Sequence, residues 1–319
     1  MDKPILLIIT LFIFLFAFSC QKQEAKTQQS TTHQARSLVP KKGAFSIERP
    51  HPYDLQRPTR RFVLPADLME VSALTYVDET HLAMVQDEKG KIFIYDIDEE
   101  EVQEVNKFAQ KGDYEGIEIV NGIAYALQSD GDVFEIKDYL SEDPEVEKFE
   151  NKLRTKNDTE GLGYDKDSHS LLIACKSSPH LEEASGYKGN RAVYAFDLRT
   201  KELQENPFIL VSLDSFQVKI KEGPITEFSR KVISSFGGEL TFRPSGIAQH
   251  PMTGQYWIIS SVGKTLAIVE KGGEIVHVER LRPGIFNHPE GICFAPDGTL
   301  YISNEGDDGV ATILMMQLP

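Results

Sequence analysis

The chain has 319 residues, of which 26% are charged, and a formal net charge of −15. This excess of acidic groups argues against nucleic acid as a partner, because phosphate-backbone binding needs a basic surface.

An apolar run comes first. It extends from Ile5 to Phe18 after Lys3, and its roughly 14 residues fall short of the roughly 20 needed to cross a bilayer. The small residues before Cys20 resemble the lipobox of bacterial lipoproteins, although Ala17 stands where that motif usually has leucine. We predict a lipoprotein signal peptide over residues 1–20 with lipidation at Cys20; the alternative is an ordinary signal peptide with an incidental cysteine.

The next segment, residues 21–57, is predicted to be a flexible tether. From Gln21 to about Lys42 it is rich in Gln, Thr, Ser and Lys, and it has too few large apolar side chains to offset the entropy of ordering. The folded domain is predicted over residues 58–319.

Within that domain one short motif recurs. Lys-x-Asp-x-Glu-Gly occurs at Lys111–Gly116 and again at Lys156–Gly161, one 45-residue period apart. Stepping back 45 residues from Glu115 reaches Glu70, and stepping back 45 from Glu290 reaches Ser245. Periods of roughly 40–50 residues with strand-like content are typical of propeller blades.

Four of the repeats contain four strand-length runs each, and the fifth contains only three. The run Arg61–Leu64 precedes the first blade and can supply the missing outer strand, since an open edge would otherwise remain. We therefore predict an all-β fold, a five-bladed propeller closed by an N-terminal strand. A six-bladed ring is the alternative, because 85 residues separate Glu160 from Ser245.

Two insertions occupy that gap, at 176–190 and 214–241. The second contains Pro224 and then Ile225, Phe228, Val232, Ile233 and Phe236, a helical spacing that ends at Gly237-Gly238. One short helix is expected there. Both insertions should lie on the face where the first strands begin, which suggests a ligand or partner site; the alternative is that the helix only packs on the rim.

The repeated glutamates should converge at one mouth of the central channel. Carboxylates crowded together raise one another's pKa unless a cation compensates, and ligands that are all oxygen favour calcium or magnesium, calcium above all in a loose ring. The predicted metal ligands are Glu70, Glu115, Glu160 and Glu290. Because Ser245 interrupts the ring, the cation is expected off-centre, on the side of Glu70, Glu115 and Glu160.

Supporting residues are predicted from position. Asp113 and Asp158 precede their glutamates by two residues and so share a side of an extended chain. With Ser245 and Asn304 they form the predicted outer set of ligands or supports. Alternatively, the glutamates accept backbone hydrogen bonds from neighbouring blades and only fasten the ring.

The motifs Glu70-Val71-Ser72-Ala73-Leu74, Asp113-Tyr114-Glu115-Gly116-Ile117, Asp158-Thr159-Glu160-Gly161-Leu162 and Pro289-Glu290-Gly291-Ile292 resemble the SdiA-regulated bacterial family over residues 60–319. The resemblance implies a five-bladed propeller distantly like NHL-repeat proteins, with a calcium site and usually an N-terminal membrane anchor. Ser245 departs from its pattern, as does Ala73, where glycine is commoner.

Three functions remain open. The first is a monomeric, lipid-anchored propeller in the bacterial cell envelope, outside the cytoplasm, that binds calcium and an unidentified ligand or protein partner. The second is a metal-dependent hydrolase of a lactone or phosphate ester; the chain has no Gly-x-Ser-x-Gly motif, and His250 and His288 are isolated and read as structural. The third is a structural envelope protein.

Overall fold

The computed structural model describes residues 50–182, 186–222, 242–307 and 309–319. The predicted signal peptide, Cys20, most of the predicted tether and the predicted helix at Pro224–Phe236 lie outside these residues. None of the helices in the described part is long and apolar enough to cross a membrane.

Five antiparallel sheets make up the domain, and the predicted five-bladed propeller is confirmed. Blades 1 and 2 have four strands each. Blade 1 consists of β2 (Val71–Tyr76), β3 (His81–Gln86), β4 (Lys89–Asp96) and β5 (Glu101–Lys107). Blade 2 consists of β6 (Tyr114–Val120), β7 (Ile123–Gln128), β8 (Val133–Lys137) and β9 (Glu145–Phe149).

Blade 3 has a divided outer edge. Its strands are β10 (Thr159–Asp165), β11 (Ser170–Cys175), β12 (Asn190–Asp197), β13 (Glu202–Leu203) and β14 (Ile209–Ser212). Both β13 and β14 pair with β12, so two short strands share the place of one. Helix α1 (Leu213–Glu222) follows and contacts the outer strands β14 and β18.

Blades 4 and 5 complete the ring, and the six-bladed alternative is wrong. Blade 4 consists of β15 (Gly246–Gln249), β16 (Tyr256–Ser260), β17 (Thr265–Val269) and β18 (Ile275–Arg280). Blade 5 consists of β19 (Pro289–Phe294), β20 (Leu300–Asn304), β21 (Thr312–Met316) and β1 (Arg60–Val63), which is followed by a 3-10 turn at Ala66–Leu68. Strand β1 pairs antiparallel with β21, Arg60 opposite Met315, as predicted for the closing strand.

The hydrophobic core is divided among the blade interfaces. The innermost strands β2, β6, β10, β15 and β19 contact one another in a closed ring. Five apolar clusters lie in the described chain, one between each pair of neighbouring blades. Because each blade buries both faces against neighbours, no blade is a complete core by itself.

The segment before β1 belongs to the folded domain. Tyr53 and Leu55 are 1% and 2% exposed and pack between blades 4 and 5. The Tyr53 hydroxyl donates a hydrogen bond to the Gly298 carbonyl at 2.6 Å. The segment around Tyr53 and Leu55, which the sequence places in the tether, therefore packs with the blades, because its two large apolar side chains are buried at this interface.

Candidate functional site

The innermost strands begin at one end of the channel, which we call the channel mouth. Strands β2, β6, β10 and β19 each shift register against the next strand of their sheet near this end. Such bulges turn a side chain out of the regular pattern and are common beside binding sites. The residues placed equivalently by these registers are Ser72, Glu115, Glu160 and Glu290, with Ser245 at the start of β15.

The position of Glu70 differs from the one that the 45-residue spacing predicts. Ser72, 43 residues before Glu115, is the true counterpart of that glutamate. The spacing contracts because the connection from β5 to β6 is shorter than the one from β9 to β10. Glu70 instead matches Asp113 and Asp158, two residues earlier. The carbonyls of these three residues accept hydrogen bonds from the amides that follow the second strands, those of Asp87, Ser129 and Lys176.

The two serines fasten neighbouring blades. The Ser72 hydroxyl donates a hydrogen bond to the carbonyl of Tyr114 at 2.6 Å, and the Ser245 hydroxyl donates to the carbonyl of Pro289 at 2.8 Å. Tyr114 and Pro289 occupy equivalent places in the following blades. The fastening role that the sequence analysis considered for the glutamates is therefore carried out by these hydroxyls.

Glu115 is held in a strongly acidic environment. Burial, followed by the carboxylates of Glu160, Asp113 and Glu290 in that order, raises the pKa of its carboxyl to about 10. The Asp113 and Glu115 carboxyls are in hydrogen-bond contact. Without a cation, this pair is stable at neutral pH only with a proton on Glu115.

Glu160 has a counterion from the protein itself. It is 7% exposed and forms an ion pair with the Lys176 ammonium. Burial and the Glu290 carboxylate raise the pKa of Glu160 to about 8, although Lys176 opposes them. Burial lowers the pKa of Lys176, but Glu160 more than reverses this. One oxygen, Glu160 Oε2, remains buried without a hydrogen-bond partner.

Glu290 also has a counterion from the protein, His288. Its Oε1 lies 2.9 Å from His288 Nε2, while His288 Nδ1 lies 3.1 Å from Glu305 and 2.9 Å from Asp307. The hydrogen bond to Glu290 raises the pKa of His288 to about 9, with Asp307 and Glu305 adding to the effect. His288 is thus part of the mouth, contrary to the isolated structural role expected for it.

The side of the mouth formed by blades 1 and 2 has no such counterions. Burial raises the pKa of Asp87 to about 6, and the Glu70 and Asp113 carboxylates contribute. Asp87 Oδ1 is buried without a hydrogen-bond partner. No described basic side chain lies within ion-pair distance of Glu70, Asp87, Asp113 or Glu115.

The remaining predicted residues are also at the mouth. Asp158 has a positive φ of 55° and accepts a hydrogen bond from the Ser177 hydroxyl at 2.9 Å. Asn304 ends β20, donates to the Thr312 hydroxyl at 3.3 Å and leaves its Oδ1 buried without a partner. The insertion after β11 packs here too, since the Asn157 side chain donates to the carbonyls of Ser178 and His180.

The negative charge at the mouth is therefore compensated on one side and not on the other. Acidic groups without counterions lie at blades 1 and 2, whereas Lys176 and His288 neutralise the carboxylates of blades 3 and 5. Arg243 precedes Ser245 by two residues, as Glu70 precedes Ser72, and its amide donates to the Ser260 hydroxyl. Lys176 is not predicted from the sequence and His288 is predicted to be structural, although aligning the residues that flank the first strands and end the second strands would place both at the mouth.

Unmatched carboxylates and a buried acceptor suit a hard cation with oxygen ligands. Asp113, Glu115, Asp87 and Glu70 offer carboxylate oxygens without competing nitrogen or sulfur donors. The donor chemistry on this side of the mouth therefore suits the calcium that the sequence predicts, and Glu160 and Glu290 have alternative partners.

Comparison with solved structures finds other propellers at low identity. The glutaminyl cyclase of Myxococcus xanthus is 12% identical, with 82% of this chain and 95% of that chain covered at a TM-score of 0.51. A luciferin-regenerating enzyme is 11% identical over 82% and 95% of the two chains, at 0.48. The PQQ-bound aldose sugar dehydrogenase of Streptomyces coelicolor is 12% identical over 82% and 97%, also at 0.48.

The similarity to the glutaminyl cyclase, whose TM-score exceeds 0.5, shows the fold alone. No protein-family model and no curated protein matches the chain. The resemblance to the SdiA-regulated family stays a prediction.

Proposed function

We propose that this protein is a lipid-anchored envelope propeller that binds a divalent cation, calcium by its donor chemistry, at the blade 1 and 2 side of the channel mouth. Asp113 and Glu115 would be the principal ligands, supported by Asp87 and Glu70. The same face would then hold an unidentified ligand or protein partner.

The observation that carries this proposal is the unequal matching of charge. Glu160 and Glu290 each have a cationic side chain within 4 Å, Lys176 and His288. Glu115 has only other carboxyls among the groups that perturb it. Crowded carboxylates of this kind are costly to ionise without a positive charge. A bound cation would supply that charge and allow Glu115 and Asp113 to ionise together.

The position of the site also supports a role in binding. The mouth is bordered by residues 176–182 of the predicted insertion, whose backbone accepts hydrogen bonds from the Asn157 side chain and, at the Pro179 carbonyl, from the Tyr194 hydroxyl at 2.8 Å. Insertions on a rigid scaffold are where binding residues concentrate. A cation in the mouth would present any remaining coordination position toward this surface.

The proposal is tested by calorimetric titration of the metal-free protein with calcium. We expect one saturable site that is lost in Glu115→Gln and Asp113→Asn. The matched control is Glu118→Gln, which removes a buried carboxylate three residues further along β6 and should leave calcium affinity within a few-fold. Calcium binding that survives in both site variants, or no binding to the unaltered protein, would refute the proposal.

The membrane anchor is a separate part of the proposal. Residues 1–20 carry the features of a lipoprotein signal and Cys20 would receive the lipid. Metabolic labelling with a radioactive fatty acid should mark the unaltered chain and not Cys20→Ala. Equal labelling of both would exclude lipidation at this residue, with no consequence for the calcium site.

A hydrolase is the second candidate, and one observation favours it. Glu115, with its pKa raised to about 10, is protonated at neutral pH when no cation is bound and could act as a general acid. Turnover of generic lactones or phosphate esters that disappears in Glu115→Gln would establish this reading. Calcium binding without turnover would leave the binding function.

A further inference from the structure

A second cluster of metal-ligating side chains lies outside the channel mouth, and its donor atoms differ from those of the mouth because two of them are imidazole nitrogens. His51 belongs to the segment before β1, while His277 and Glu279 lie on β18, the outer strand of blade 4. His51 Nε2 is 2.8 Å from Glu279 Oε2, and His277 Nε2 is 3.6 Å from the same oxygen. One donor atom from each residue lies within 4.8 Å of the others.

These separations match the requirements of a small tetrahedral ion. Zinc binds imidazole nitrogen at about 2.0–2.1 Å and carboxylate oxygen at about 2.0–2.2 Å, so tetrahedral ligand atoms stand roughly 3.3–3.5 Å apart. The two measured distances to the Glu279 oxygen fall on either side of that value. Displacements of a few tenths of an ångström would bring the three atoms to a common ion.

The hydrogen bonding within the cluster is incomplete. The His277 Nε2 atom is buried without a hydrogen-bond partner, since 3.6 Å is too long for one. The His51 side chain is 4% exposed, and its Nδ1 is likewise buried without a partner. Buried polar atoms are nearly always paired, so an unpaired nitrogen pointing at a carboxylate indicates a missing partner.

The surroundings would hold the ligands in place and leave one side open. The His51 ring lies 5.1 Å from Trp257 and 6.1 Å from Tyr53, measured between ring centroids. The side chains of His277 and Glu279 are 19% and 27% exposed, so solvent reaches the cluster. Two histidines, one carboxylate and a position for water are a donor set typical of zinc.

We propose that His51, His277 and Glu279 bind a transition-metal ion of the zinc class. The ion would join the segment before β1 to blade 4, across 228 residues of sequence between His51 and Glu279. Its two imidazole nitrogens set it apart from the channel mouth, whose carboxylates favour calcium. The protein would then hold two ions of different chemistry, one in the channel and one at the outer edge.

Zinc titration of the full chain, purified without a histidine tag and stripped with chelator, tests this proposal. We expect one equivalent to bind and Co²⁺ substituted for it to give the visible absorption of a four-coordinate site. His277→Asn and Glu279→Gln should each weaken binding by more than about 100-fold, beyond what outer-shell changes cost. Glu279→Gln can still hydrogen-bond to His51, so it separates loss of the metal from loss of the fold.

Two controls fix the location. His169→Asn removes a histidine from a surface turn whose positive φ of 55° asparagine tolerates, and it should bind zinc as the unaltered chain does. Glu115→Gln should also leave zinc binding intact. Zinc should slow hydrogen exchange in residues 50–57 and 275–280.

Absence of saturable zinc binding would overturn the proposal, and so would equal zinc affinity in His277→Asn. Loss of zinc binding in Glu115→Gln would also overturn it, because the ion would then lie in the channel.

Discussion

Replacing Glu115 with glutamine should stabilise the protein in the absence of calcium. The unfolded chain ionises this carboxyl near pH 4.5, whereas in the folded state its pKa is raised to about 10. A raised carboxyl pKa costs stability as pH rises above the unfolded value, and the cost grows until the folded pKa is reached. At about 1.4 kcal/mol per pKa unit, folding at pH 7 costs up to about 3 kcal/mol.

Glutamine is uncharged in both states and avoids this cost. Glu115→Gln in chelator should therefore exceed the unaltered protein in unfolding free energy by up to about 3 kcal/mol at pH 7. The advantage should fall to under about 1 kcal/mol at pH 5, close to the unfolded pKa. Calcium at 100 times its dissociation constant should stabilise the unaltered protein by about 2.7 kcal/mol and the variant not at all.

Urea denaturation at pH 5 and pH 7, each with calcium and with chelator, measures the free energy of unfolding under all four conditions. Glu118→Gln is the matched control, because burial raises the pKa of Glu118 to about 8 three residues further along β6, where it accepts a hydrogen bond from the Thr75 hydroxyl. That variant should also gain stability at pH 7 but keep the calcium response. Full calcium stabilisation in Glu115→Gln, or no change in its advantage between the two pH values, would refute the reasoning.

Three further changes test the surrounding structure. Lys176→Gln should raise calcium affinity several-fold in calorimetric titration, because it removes the positive charge that faces Glu160 and Glu290; weaker binding would contradict the charge division. The pKa of His288 is raised to about 9, so the stability that its positive charge gives the folded protein is complete below about pH 6.5 and is lost as pH rises through 9. The unaltered protein should therefore lose stability relative to His288→Gln across that window. Parallel pH profiles of the two proteins would contradict this. Gly246→Ala would place a Cβ atom 2.5 Å from the Glu290 carbonyl oxygen, so it should lower the free energy of unfolding by about 1–3 kcal/mol in thermal unfolding. Gly309→Ala, whose Cβ would have its nearest contact at 3.4 Å, should be nearly neutral. Equal costs would contradict the close approach of β15 and β19.

The periodic motif was sufficient to predict the fold. The recurrence of Glu115 and Glu160 marked the blades, and the shortage of one strand in the last repeat identified the closing role of the Arg60–Val63 region. Both features depend on local hydrophobic pattern and on the rule that a propeller edge must be paired, so no tertiary information was needed.

The site was predicted less completely, for physical reasons. Counting 45 residues reached Glu70 because the count ignores how turn lengths differ between blades, and the register of β2 moves the equivalent position to Ser72. Lys176 and His288 lie outside the repeated glutamate position, so their role as counterions depends on how strand ends meet in space. His51 and Glu279 come together only through the docking of a segment that the sequence places in the tether.

Closure of blade 5 by β1 also determines the order of assembly. Arg60 pairs with Met315, so the first strand of the domain cannot find its partner until the last strand has been made. Contacts of such high sequence separation are formed late and slow folding. A growing chain can therefore complete blades 1 to 4 while β1 stays unpaired, and blade 5 closes only when β21 has been made.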